Sequence, residues 1–238
     1  MDYFRNIIVV AAIAGVIAGI AMTVAQQLVT VPMVFEAEVL EQQSEAQEAP
    51  AHEHEAEGAG QVHSHDHGEG WAPADGAERT FFTLLANVIT GIGFALLLVA
   101  ASELFGGLSG WRQGVFWGLA GFVVFTLAPG LGLPPELPAM PAAELGPRQV
   151  WWVGTVISTA LALALLFYVR SLPAVVLAVA LLIAPHVIGA PQPASHESPI
   201  PENLHNNFVV AVVMTTLVFW VMLGGLAGYA RERFIGHA

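Results

Sequence analysis

Two short runs in this sequence carry the residue types that ligate metal ions: His52-Glu53-His54-Glu55 and His63-Ser64-His65-Asp66-His67. Neutral imidazole is a good ligand for divalent cobalt, nickel, copper and zinc, and interleaved carboxylates raise the local cation concentration before any ligand exchanges. Protonation near the ~6.5 pKa of an unperturbed imidazole removes the lone pair, so affinity is expected to fall in mild acid. The ligands expected here are His52, His54, His63, His65, Asp66 and His67. A solvated acidic linker is the competing reading, but five histidines within 16 residues favour metal binding on composition. A zinc protease is unsupported, because Ala56 stands where H-E-x-x-H needs its second histidine.

The segment that holds these runs, residues 36–80, contains 12 acids and five histidines but only Arg79 as a cation. Such a composition buries too little apolar surface to fold alone, so a disordered capture loop is expected. The rest of the chain is of another kind. Even with that segment included, the whole sequence is 55% hydrophobic and 11% charged, against about a quarter charged in soluble domains. Although the net charge is -12, the acids lie outside the apolar runs, and nucleic acid is not an expected partner. The absence of cysteine excludes thiolate sites and disulfides, and the absence of lysine excludes a phosphate-binding G-x-x-x-x-G-K-[ST] loop.

An all-α transmembrane bundle of about six spans follows from apolar runs at residues 7–35, 81–102, 114–131, 150–169, 172–189 and 208–229. The division expected is a first span in 1–35, the histidine-rich loop in 36–80 and five further helices in 81–238. The first run is longer than the apolar core of a cleaved signal, about 7 to 15 residues, so it is expected to be retained as a span. The fifth is the weakest, bracketed by Pro173 and Pro185. Glycine pairs Gly15/Gly19, Gly114/Gly118 and Gly224/Gly228 predict close helix contacts. Asp75 followed by Glu78 predicts a side-chain cap on the second span.

With six spans, Arg5, Arg112, Arg170, Arg231 and Arg233 fall on one side and Arg79 and Arg148 on the other. The basic-residue rule then places both termini in the cytoplasm and the histidine-rich loop outside. No Asp, Glu or Arg occupies the middle of a span, which disfavours an autonomous proton-driven carrier and an intramembrane enzyme alike. The polar residues available toward the outer half are Gln26, Gln27, Asn87 and His186, with Glu36, Glu38, Glu136 and His205 above them. His186 stands beside Pro185, which frees a helix carbonyl. Together they are expected to form an outer vestibule in which His186 and His205 ligate metal. Hydrogen bonding between helices is the competing role for Gln26, Gln27 and Asn87.

Four stretches carry a family resemblance: Trp71-Ala72-Pro73-Ala74-Asp75-Gly76 with Glu78-Arg79-Thr80; Leu85-Ala86-Asn87-Val88 with Gly91-Ile92-Gly93-Phe94; Leu127-Ala128-Pro129-Gly130-Leu131-Gly132-Leu133-Pro134-Pro135-Glu136-Leu137-Pro138; and Ala184-Pro185-His186-Val187-Ile188-Gly189-Ala190-Pro191. In these the chain resembles the CbtA family of predicted cobalt transporter subunits. The resemblance implies cobalt uptake across a bacterial inner membrane, a link to cobalamin synthesis, and a small single-span partner subunit with its own histidines. That family is often described with five spans, against the six counted here. The expectation is therefore a non-enzymatic uptake subunit, embedded in the lipid bilayer and open to homo-oligomer formation. It has no permanently bound cofactor and carries cobalt, with nickel or zinc as alternatives. A membrane metal sensor or storage scaffold is the competing class.

Overall fold

The computed structural model describes residues 2–48, 73–169, 171–195 and 197–234. These form six helices and, among the described residues, no strand: α1 (Asp2–Glu48), α2 (Ala77–Glu103), α3 (Trp111–Gly130), α4 (Leu145–Tyr168), α5 (Leu172–Ile188) and α6 (Glu202–Phe234). Five are long and apolar enough to cross a bilayer, whereas α5 has 17 residues. At ~1.5 Å per residue that is about 25 Å, the short limit for a span. Its neighbours decide its course. Tyr168, just before α5, stacks on Phe105 between α2 and α3 at 3.9 Å, while the carbonyl of Pro185 near its far end accepts from Trp151 Nε1 at 3.1 Å. Helix α5 thus connects the two ends of the bundle. Asn6 Nδ2 donates to the Phe234 carbonyl at 3.3 Å, so the described chain begins and finishes at one end, here the terminal end. The opposite one is the loop end.

The bundle is assembled around α6, which packs against α1 and α3, with α2 laid along α1. In lipid these contacts cannot rest on an apolar driving force, and small residues take its place. A Cβ on Gly19 would lie 2.7 Å from the Asn87 carbonyl oxygen, and one on Gly224 would overlap the Gly114 carbonyl and sit 2.8 Å from Gly118 Cα. All three glycine pairs predicted from spacing therefore mark backbone contacts. Helices α4 and α5 form a hairpin that touches the remainder mainly along the second half of α3. Pro185 cannot donate to the Leu181 carbonyl four residues back, and Ser158 Oγ takes that carbonyl at 2.6 Å. The large side chains left outside, such as Leu172 and Ile188, are apolar and suited to lipid.

Charge is confined to the two ends. At the terminal end Arg231 grips Glu103 through Nε (2.6 Å) and Nη2 (3.1 Å), donates from Nη1 to the Leu108 carbonyl (2.6 Å), and shares Glu103 with the Tyr3 hydroxyl (2.5 Å). Gly107, at φ 77°, leaves the space that this guanidinium occupies. At the loop end Arg79 pairs with Glu38 at 2.7 Å and Arg148 with Glu136 at 2.9 Å.

Two local expectations are corrected. Residues 36–48, expected to begin the loop, continue α1 as helix. The reason is a stripe at helical spacing: Met33, Ala37 and Leu40 pack with Leu137, Leu204 and Phe208, an apolar signal hidden among the acids. The start of α2 has no side-chain cap, since Gly76 holds that position at φ 89°. Asp75 instead pairs with Arg79 at 3.2 Å, and Glu78 Oε2 accepts from the Ala74 N–H at 3.3 Å.

Replacing Gly224 with valine should cost about 3 kcal/mol or more of stability by separating α3 from α6. Gly93→Val, with nothing within 4 Å of its added Cβ, should cost under about 1 kcal/mol. Unfolding of purified protein in mixed micelles separates the two; equal losses would contradict the contact.

Candidate functional site

Two cavities lie along α6. The first, about 180 Å³, opens at the loop end between the proline-rich turn after α3 and Pro191, Gln192, Pro193 and Ser198 before α6. Its walls include Pro134, Glu136, Met140, Gln192, Ser198 and His205. Proline fixes φ and offers no donor, so Pro134, Pro135, Pro141, Pro191 and Pro193 hold these walls without regular structure. His205 Nε2 lies 3.1 Å from the Pro135 carbonyl. A carbonyl only accepts, so Nε2 carries the hydrogen and Nδ1 keeps the lone pair that a metal needs. Glu136 shares this cleft but is held by Arg148, which offsets its charge.

The second cavity, about 170 Å³, lies deeper among α1, α2, α3 and α6. Phe94, Phe125, Phe219 and Trp220 wall it, with Phe125 and Trp220 stacked at 5.6 Å. Its polar lining is Asn87, Thr90, Thr126 and Thr216. Thr126 reaches it because α3 widens into a π-turn at Val123–Leu127, where Ala128 N–H bonds the Val123 carbonyl five residues back. Pro129, unable to supply the next α-type hydrogen bond, accounts for this break, and such turns are frequent at functional sites. Trp220 Nε1 donates to Thr126 Oγ1 at 3.2 Å and holds the widened turn in place.

The residues singled out in the sequence divide between these places. Glu136 and His205 share the loop-end cleft, while Asn87 lines the chamber and bonds Gln26 at 2.6 Å. Gln27 Nε2 donates to Thr80 Oγ1 at 3.4 Å, Glu38 is paired with Arg79, and Glu36 is exposed on α1. His186 is exposed and edge-on to Trp151, with centroids 6.0 Å apart, and lines neither cavity. His186 and Asn87, expected in one vestibule, are not brought together at either cavity. His52, His54, His63, His65, Asp66 and His67 lie outside the described residues. Among the described residues no three His, Asp or Glu side chains are grouped to hold a metal ion. Thr90, Thr126, Thr216 and Trp220 escaped the sequence reading, because threonine in apolar helices ordinarily bonds the backbone. Pro129 was the available signal.

The profile of the CbtA family, described as a probable cobalt transporter subunit, matches residues 4–232. The chain belongs to the CbtA family. The match covers every helix, so the family assignment applies to the whole bundle of this CbtA chain and not to one motif. As a subunit family, CbtA implies partner chains and a membrane. No curated protein matches this sequence, and no solved structure matches it.

If Arg148 masks Glu136, then Arg148→Gln in a chain lacking residues 52–67 should raise cobalt affinity at the cleft by about tenfold, or ~1.4 kcal/mol. Titration calorimetry on the purified chain measures this. Unchanged affinity would show that Glu136 does not face the bound ion.

Proposed function

We propose that this chain is the membrane-embedded subunit of a divalent transition-metal uptake system, with cobalt as cargo and nickel or zinc as ions its ligands also suit. One observation carries the reading: the family match spans residues 4–232, and the described residues that flank the histidine-bearing segment in sequence, Glu48 of α1 and Pro73 before α2, belong to the end of the bundle where the cleft of Glu136 and His205 opens. Ions gathered by His52, His54, His63, His65, Asp66 and His67 are released beside that cleft. With the loop end outward, as the arginine distribution favours, transfer runs from cleft to chamber along α6. Helix α5 stands outside that route, and so does His186.

The driving force is the membrane potential. A divalent ion moving inward through 100 mV gains about 4.6 kcal/mol, twice the value per elementary charge, so no carboxylate relay in the spans is required. The chain's own residues contribute capture, partial removal of water and a polar route. They perform no bond-making chemistry, and the protein is proposed not to be an enzyme. The setting is a bacterial inner membrane with both termini cytoplasmic. A small single-span, histidine-bearing subunit works beside the chain in supplying cobalt to cobalamin synthesis.

Cobalt accumulation in cells expressing the chain with its natural neighbours tests this. Removing residues 52–67 should raise the half-saturating cobalt concentration about tenfold with the maximal rate retained, and the advantage of the intact loop should fade below about pH 6 as imidazole protonates. His186→Ala should transport normally. No accumulation above empty cells would leave a metal-binding membrane scaffold as the function.

A further inference from the structure

The chamber between α1, α2, α3 and α6 has a chemical polarity that its composition of neutral side chains conceals. Thr23 Oγ1 donates its proton to the Gly19 carbonyl at 2.9 Å, so only an N–H can face it from Asn87. Asn87 Nδ2 does so at 3.0 Å and uses its second hydrogen on Gln26 Oε1 at 2.6 Å. Both amide hydrogens are spent on α1, and Asn87 Oδ1 is left as an acceptor with no partner among the described residues. Thr216 behaves alike: its hydroxyl proton goes to the Val212 carbonyl, leaving lone pairs for the chamber. The Thr90 hydroxyl lines the same space, and Thr126 Oγ1 already accepts from Trp220.

We infer that this chamber is a binding site for a divalent cation that keeps part of its water shell, held by the acceptor oxygens of Asn87 and Thr216 with the Thr90 hydroxyl beside them. The choice of cation rests on the uptake reading above; the site itself rests on the hydrogen-bond directions. At Asn87 and Thr216 the hydrogens are committed elsewhere, and oxygen acceptors so arranged favour cations and repel anions. Three neutral oxygens cannot replace a full octahedral shell, so waters remain on the ion. Without a carboxylate the site binds weakly, as a point of passage must.

Its place on α6 agrees. At 100° per residue, His205, Val212 and Thr216 fall within about 40° of one another on the helix surface, and His205 lies about 16 Å along the axis from Thr216. Cleft and chamber are therefore successive compartments on one face. Between them Phe208 is buried with Val212 and Met33 packed on its cluster, an apolar closure that divides the two.

The sequence has no cysteine, so single thiols can be introduced cleanly. In the full chain reconstituted in bilayer nanodiscs, Thr216→Cys and Thr90→Cys should react with a positively charged, water-soluble methanethiosulfonate, whereas Val218→Cys, outside the chamber lining, should not. Cobalt chloride should slow labelling of each chamber cysteine about tenfold, and adding Asn87→Leu should abolish that protection. Chamber cysteines that resist the reagent, or protection that survives Asn87→Leu and so comes from the thiol alone, would overturn the site. Protection in a chain that moves no cobalt in cells would uphold the site and sink the transport reading. Uptake without protection would do the reverse.

Discussion

Helices in a bilayer are surrounded by hydrocarbon as apolar as their own side chains, so what joins them must be close backbone contact or a satisfied polar group. In this chain the glycine contacts of α6 with α3, and of α1 with α2, supply the first kind. Everything else depends on them. They bring α6 close enough for Trp220 to reach the π-turn of α3, and α1 close enough for Thr23 and Gln26 to take both amide hydrogens of Asn87. The chamber is a consequence of helices held near by small residues and then spread apart by large aromatic ones.

That arrangement separates the protein into regions with different chemistry. The two ends hold all the ion pairs described, and the terminal end is closed by Arg231 with Glu103, Tyr3 and the Leu108 carbonyl. The middle holds only neutral oxygens and rings. In the proposed uptake function, a cation would exchange imidazole and carboxylate ligands at the loop end for weaker neutral oxygens within. The order suits capture followed by release, because a deep carboxylate site would retain the ion. The α4–α5 hairpin stands to one side, tied internally by Ser158 and Trp151.

Much of the bundle was legible in the sequence because hydropathy and arginine placement report directly on lipid and its surfaces. The six apolar helices, five of them long enough to cross a bilayer, and the glycine contacts all follow from spacing. The extension of α1 past residue 35 was hidden, since the acids of residues 36–48 dominate their composition while Ala37 and Leu40 supply the packing. The site was legible only in part. Asn87, Gln26, Glu136 and His205 stand out as polar residues in or beside apolar runs, but their partition into two cavities depends on helix rotation, which a linear pattern does not encode. Thr126 needed the π-turn to face inward, and only Pro129 announced it. The freed carbonyl beside His186 was read correctly, yet Ser158 takes it, a pairing between helices that no local pattern reveals.

The central claim is passage of a divalent cation through a bundle without charge of its own at mid-depth, and the dependence of transport on voltage tests it most directly. In proteoliposomes holding the purified chain with the subunits that accompany it, cobalt accumulation is followed at clamped potassium diffusion potentials and equal pH on both sides. The account predicts an accumulation ratio that changes about tenfold per ~30 mV, the slope for two charges, and that ignores an imposed pH gradient. Accumulation that follows the pH gradient at zero potential would contradict it.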